Sequence, residues 1–242
     1  MARRIATTAG LAFALALGVQ AASPATAAEG GPAAAIGRVN AGNGAYCTGA
    51  LIADNIVVTA AHCLIDPRSR RWLRADSLHF LPGYHLGAYD HHARVAHYMV
   101  SPGYNAGEPT RNPADDWALL VLTDRLPPQT SPLEAAVVGA AAETVSEVMG
   151  YASHRKYALS TSSPCRTRLV GAMLMGECKA ERGMSGAPLI QISTGDMIGI
   201  QVAAGRQNGR DVLVGVPAAG WQDVLRRLRT PEIRGQGSGR LQ

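Results

Sequence analysis

Three short stretches of the chain carry side chains used in nucleophilic catalysis. In Thr59-Ala60-Ala61-His62-Cys63 a histidine follows two small residues and is followed at once by a cysteine. In Asp115-Asp116-Trp117-Ala118-Leu119-Leu120 two carboxylates precede an apolar run. In Arg182-Gly183-Met184-Ser185-Gly186-Ala187-Pro188-Leu189 a serine stands among glycines. A serine hydroxyl is a weak nucleophile and reacts only when a nearby base takes its proton. An imidazole is such a base when a buried carboxylate accepts the Nδ1 proton and leaves Nε2 free. Along the chain the order is His62, Asp116, Ser185.

Taken together, these stretches resemble the motifs of chymotrypsin/trypsin-like serine proteases, over roughly residues 36–216. The resemblance implies an all-β fold of two antiparallel six-stranded β-barrels with a C-terminal helix and a cleft between the barrels. It implies His62 as general base and Ser185 as nucleophile, with the N–H groups of Gly183 and Ser185 as the oxyanion hole. Asp116 rather than Asp115 is the implied orienting acid, because the family acid directly precedes an apolar strand of this form. Pro102-Gly103-Tyr104 is similar to a short family signature ahead of that acid. Cys47 opens Cys47-Thr48-Gly49-Ala50-Leu51-Ile52 and matches the family's disulfide partner for Cys63. The rival reading is a Gly-x-Ser-x-Gly elbow of α/β-hydrolases. It needs a glycine where Ala187 stands, and its order is serine, acid, histidine. A second alternative is a catalytically silent binding protein on a protease scaffold; such relatives usually lose a triad residue.

Several positions depart from the animal trypsins. Met184 stands where they carry an acid that receives a newly cut N-terminus, so that route of activation is not expected. Cys178 lies seven residues before Ser185, a spacing similar to that of bacterial members related to glutamyl endopeptidases. The resemblance pairs Cys165 with Cys178 as a staple beside the primary specificity pocket. Lys179 stands six residues before Ser185, where trypsins carry an acid, which disfavours a preference for Arg or Lys. It favours acidic side chains or is simply solvated. Glutamyl endopeptidases carry a histidine where this chain has Gln201. The segment from Gln201 through Val202 and Ala203 to Gly205 is expected to pair with substrate backbone as an added strand.

The elements that must position these groups read as short strands and turns. Thr48–Ile52 and Ile56–Ala60 flank Asp54-Asn55, a hairpin turn. Residues 78–81, 94–100 and 117–122 are further strand candidates, the last continuously apolar as in a strand buried on both faces. Asp124–Glu134 holds Pro127, Pro128 and Pro132 and reads as a linker. Beyond it, residues 144–151, 167–175, 188–192, 197–203 and 211–216 repeat the pattern. Trp221, Val224, Leu225 and Leu228 fall on one helical face, and Pro231 ends it. The expected organisation is a signal peptide at 1–28, a barrel with the histidine and acid at 29–128, a barrel with the serine at 129–217, and a helix with a disordered tail at 218–242.

Composition bounds what remains. An apolar fraction of 47% supports a sizeable core, and 27 glycines and 14 prolines suit many turns. Arg3 and Arg4, the apolar residues 5–19 and the small residues Ala25-Thr26-Ala27 read as a secretory signal. A secreted or periplasmic protein is therefore expected, with no membrane contact once the signal is removed. Without it the net charge falls from +5 to about +3, too little to call for a nucleic-acid partner. Four cysteines in an exported chain allow three pairings, of which two local disulfides are expected. No C-x-x-C pair supports a zinc site. The expected partner is a protein or peptide substrate; no metal and no cofactor is expected, and the chain is expected to be a monomer. The basic cluster Arg68, Arg70, Arg71 and Arg74 around Trp72 reads as a solvated loop, and His85, His91, His92 and His97 read as structural.

Overall fold

Runs of β-branched and aliphatic residues broken by turn residues dictate strands, and the computed structural model, which describes residues 31–139, 142–179 and 181–229, places them in two closed sheets. The first contains β1 (Ile36–Ala41), β2 (Tyr46–Ala53), β3 (Ile56–Thr59), β4 (Leu78–Pro82), β5 (Ala93–Val100) and β6 (Ala118–Leu122). Its order is β1-β2-β3-β6-β5-β4, and β4 returns to pair with β1 through Val39 and Phe80. The second contains β7 (Glu143–Gly150), β8 (Ser160–Thr161), β9 (Cys165–Val170), β10 (Met173–Gly176), β11 (Pro188–Gln191), β12 (Met197–Gln207) and β13 (Arg210–Pro217). Here β7-β9-β10-β13-β12-β11 closes through the pairing of β11 with β7, and the short β8 hangs on the end of β7. Two six-stranded antiparallel barrels with one C-terminal helix are the expected architecture.

Alternation decides which face each strand buries. β7 buries Thr144, Ser146, Val148 and Gly150 and turns Glu143 and Val145 outward. β3, Ile-Val-Val-Thr, is buried throughout because it lies between β2 and β6 with protein on both faces. The Asp54-Asn55 turn joins β2 to β3 as expected. The stretch 167–175, read from sequence as one strand, is instead two strands turned at Gly171-Ala172; residues 169 and 174 face each other across the hairpin. Apolar residues on both sides of a tight turn look continuous in sequence, which is why the turn was hidden.

The expected linker after β6 is strapped to the first barrel. Leu126 N donates to Asp54 O at 3.0 Å and Leu133 N to Leu51 O at 2.9 Å, and both leucines are buried. The helix α1 (Ala219–Arg229) buries Trp221 and Leu225. Trp221 packs against Trp117, with ring centroids 6.5 Å apart. Arg226, Arg227 and Arg229 fill the last turn, where the helix dipole favours cations. Among the described residues no helix is long and apolar enough to cross a membrane. The expected signal peptide, Pro231 and the tail from Gly235 lie outside the described residues.

Candidate active site

His62 sits in a single 3-10 turn, Ala61–Leu64, immediately after β3. A disulfide joins Cys63 beside it to Cys47 in β2, so the backbone next to the imidazole is tied to the neighbouring strand. Asp116 lies at the end of another 3-10 turn, Pro113–Asp115, just ahead of β6. Because β6 pairs with β3, the strand register carries this carboxylate to the histidine. Asp116 Oδ2 lies 2.6 Å from His62 Nδ1, and Oδ1 accepts from the His62 backbone N–H at 2.9 Å. One carboxylate thus fixes both the ring and the peptide that carries it. The acid is buried at 5% exposure, and such a site strengthens its hold on the Nδ1 proton.

Asp115 goes elsewhere. Its carboxylate accepts from the Ser101 hydroxyl and the Asn112 amide, and it fills the space a side chain on Gly103 would need. Tyr104 from the same signature lies near Asp116. Burial first, and then the Asp116 charge, push its phenol well above the ordinary value.

Ser185 is carried on the loop before β11, in the second barrel. Its carbonyl accepts from Thr48 N at 2.9 Å, across to the first barrel. Gly186 N donates to Gln201 O at 2.7 Å, and Gln201 N to Ala187 O at 2.8 Å, so β12 grips the turn from the other side. Gly186 has φ +80, and a Cβ there would sit 2.2 Å from Thr48 O and 2.4 Å from Thr59 Oγ1. Only glycine allows this approach of the serine turn to the strand that leads into His62. The Ser185 hydroxyl itself makes no hydrogen bond to His62 among the described residues; in an unliganded site such a bond is often long and tightens when substrate enters.

The amides of Gly183 and Ser185 have no acceptor among the described residues. Met184 between them is 3% exposed and packs in the second barrel's apolar cluster, offering no charge. Tyr46, whose hydroxyl would lie 2.9 Å from a Cβ on Gly183, is covered by the Arg38 guanidinium 4.1 Å from its ring centre.

The expected substrate-contacting residues divide. Gln201 is 2% exposed; its backbone is consumed by the serine turn and its Nε2 donates to Glu181 O at 3.2 Å. Its backbone is therefore not open to an added strand. The β12–β13 register shifts between Gln201 and Ala203, leaving Val202 outside it, and from there to Gln207 β12 has β13 on one side and no strand on the other among the described residues. Lys179 is exposed, with Nζ 3.8 Å from Glu181 Oε1, and Glu181 also meets His154 Nδ1. The second disulfide joins Cys165 to Cys178. Sequence reasoning gave no role to Thr48 or Glu181, because a threonine in an apolar strand reads as a strand former and an acid in a loop reads as a solvated charge.

Cys47, His62 and Cys63 bring three potential ligand atoms together, but both sulfurs are spent in the disulfide. His92 Nε2 lies 2.8 Å from His79 Nδ1, and Arg74 pairs with Asp76 in the basic loop.

The family model described as Trypsin matches residues 24–222. No curated protein matches. Among solved structures, a Glu endopeptidase in complex with MPD is similar at 19% identity and a TM-score of 0.65, over 81% of this chain and 91% of that one. A thermostable serine protease, AL20, from an extremophilic microorganism is similar at 18% and 0.63, over 79% and 94%. Neuropsin, a serine protease of mouse brain, is similar at 17% and 0.64, over 84% and 98%.

Proposed function

Since the chain belongs to the trypsin family, we propose that it is an exported serine endopeptidase that cleaves peptide bonds through an acyl-enzyme. Ser185 Oγ attacks the substrate carbonyl carbon while His62 Nε2 takes the hydroxyl proton. Asp116 keeps the other ring proton on Nδ1 and faces the imidazolium as it forms. The carbonyl oxygen, now anionic, is received by the Gly183 and Ser185 amides. Collapse of the adduct breaks the C–N bond, and His62 gives its proton to the departing amine. Water then attacks the ester by the same route, releasing the acid and restoring Ser185.

The observation that carries this reading is the double hold of Asp116 on His62, at 2.6 Å to the ring and 2.9 Å to the backbone. A histidine with only a structural role needs no carboxylate on Nδ1. A fluorophosphonate probe should label the purified protein, and Ser185→Ala should abolish labelling; labelling that survives the substitution refutes the assignment.

The Ser185 hydroxyl makes no hydrogen bond among the described residues, which favours a second reading, a silent binding protein on this scaffold. Turnover of unfolded casein excludes it. With Lys179 where an acid would select basic side chains, preference for Arg or Lys is not expected, and cleavage-site profiling on a peptide library reads the preference directly. The expected signal at 1–28 supports export, and N-terminal sequencing of the exported form should find Glu29 first.

A further inference from the structure

An oxyanion hole works only while the Gly183 N–H points into it. A glycine at φ +88 has little intrinsic resistance to a flip of the preceding peptide plane. Such a flip would replace the N–H with the Arg182 carbonyl oxygen and fill the hole with the wrong charge. Met184 brings no ion pair to prevent this, so the restraint must come from other groups.

Two hydrogen bonds supply it. Ser153 N donates to Arg182 O at 2.7 Å. In a trans peptide the C=O and the following N–H point in opposite directions. Holding the Arg182 oxygen at Ser153 therefore aims the Gly183 N–H the other way. The next plane is held by Thr48, whose Oγ1 donates to Gly183 O at 3.3 Å and accepts from Tyr151 N at 3.0 Å. A hydroxyl has one proton, so its donor role goes to Gly183 and its acceptor role to Tyr151. Thr48 is fully buried in β2 of the first barrel, while Gly183, Tyr151 and Ser153 belong to the second. Its own N–H also holds the Ser185 carbonyl. A side chain at 183 would strike Tyr151 O at 2.5 Å, so the loop lies directly on these anchors.

We propose that the oxyanion loop is oriented from two sides, with Thr48 as a positioning residue acting across the interface between the barrels on the Gly183 carbonyl and the Ser153 amide, from within the second barrel, as its counterpart on the Arg182 carbonyl. This rests on the endopeptidase reading above. The loop's active geometry then depends on the docking of the barrels and on no charge at position 184.

The test is Thr48→Val, which keeps the shape and removes the hydroxyl, against Thr48→Ser, which restores it. Steady-state kinetics on a peptide ester are measured beside binding of a peptide boronic acid, which forms a tetrahedral adduct at the serine. Loss of one oxyanion donor lowers the rate about 10²–10³-fold, so a misaimed donor should lower kcat by about tenfold to a hundredfold. KM should stay near wild type, boronate affinity should fall in parallel with kcat, and Thr48→Ser should recover both. Ser153→Pro is the second variant and covers the case in which Thr48→Val does not fold. Ser153 opens a 3-10 turn after Ala152 at φ −66, ψ 147, a backbone that accepts proline. This substitution replaces the N–H on Arg182 O with the ring Cδ, which displaces that oxygen, and kcat should fall by about 10²-fold. Wild-type kcat and boronate affinity in folded Thr48→Val or in Ser153→Pro would overturn the proposal while leaving the protease reading intact. A wild-type protein inert to the fluorophosphonate would end both.

Discussion

The His62 side, proposed as the base, and the Ser185 side, proposed as the nucleophile, are held by opposite means. His62 is fixed by a charged side chain and a covalent bond: Asp116 grips ring and backbone, and the Cys47–Cys63 disulfide anchors the next residue. Ser185 is fixed by peptide groups alone, through Thr48 N on its carbonyl and Gln201 on both sides of the following turn. The requirement explains the difference. A base must present one ring nitrogen in one tautomer, which a carboxylate enforces. The proposed oxyanion hole must present two backbone N–H vectors, which peptide planes and a missing Cβ supply. Loss of the carboxylate on the base side should be chemical and leave the fold standing. Damage on the nucleophile side should disturb both.

The largest effect expected is Asp116→Asn, which keeps shape but favours the wrong tautomer and should lower kcat by about 10⁴-fold. Circular dichroism and the melting temperature should stay near wild type; a melted protein would break the contrast. Next is Gly186→Ala, whose methyl meets Thr48 O at 2.2 Å in a φ +80 backbone. Strain and overpacking together should cost about 4 kcal/mol in urea unfolding, with activity lost as well. An alanine variant as stable as wild type would remove the case for a backbone-built nucleophile side. The pair Cys47→Ala and Cys63→Ala opens a loop spanning 16 positions and should cost about 3 kcal/mol. Fluorophosphonate labelling of the folded fraction should persist, because Asp116 still holds the ring.

The smallest effect concerns Asp66, in the loop after His62. Hydrogen bonds from Ser69 N–H, then Asn43, lower its carboxyl from 3.8 to about 2. The folded value is depressed, so the contribution is complete above 3.8 and is lost as pH falls towards 2. An NMR titration should find its midpoint near 2, and Asn43→Ala should raise it. A midpoint unmoved by that change would show that Asn43 contributes nothing.

The candidate site was readable from sequence because each of its residues lies in a run whose neighbours are constrained by the same task. Asp116 could be separated from Asp115 by the apolar strand after it, and in the structure Asp116 meets His62 while Asp115 turns to Ser101 and Asn112. The hairpin within 167–175 was not readable, since Val170 and Met173 flank a turn without polar punctuation. Nor was Thr48: a threonine in an apolar strand reads as a strand former, and its partners lie more than 100 positions away. The duty of Gln201 was hidden for another reason: its backbone serves Gly186 and Ala187, a main-chain role that the side chain does not announce.

Helix α1 ends the described chain, yet Trp221 fits against Trp117 in the apolar cluster that holds the first barrel's core. A chain delivered N-terminus first therefore reaches its last described segment before its earliest barrel can bury its full complement of side chains. Contacts this distant in sequence slow folding, and a partly delivered chain exposes the face that Trp221 should cover.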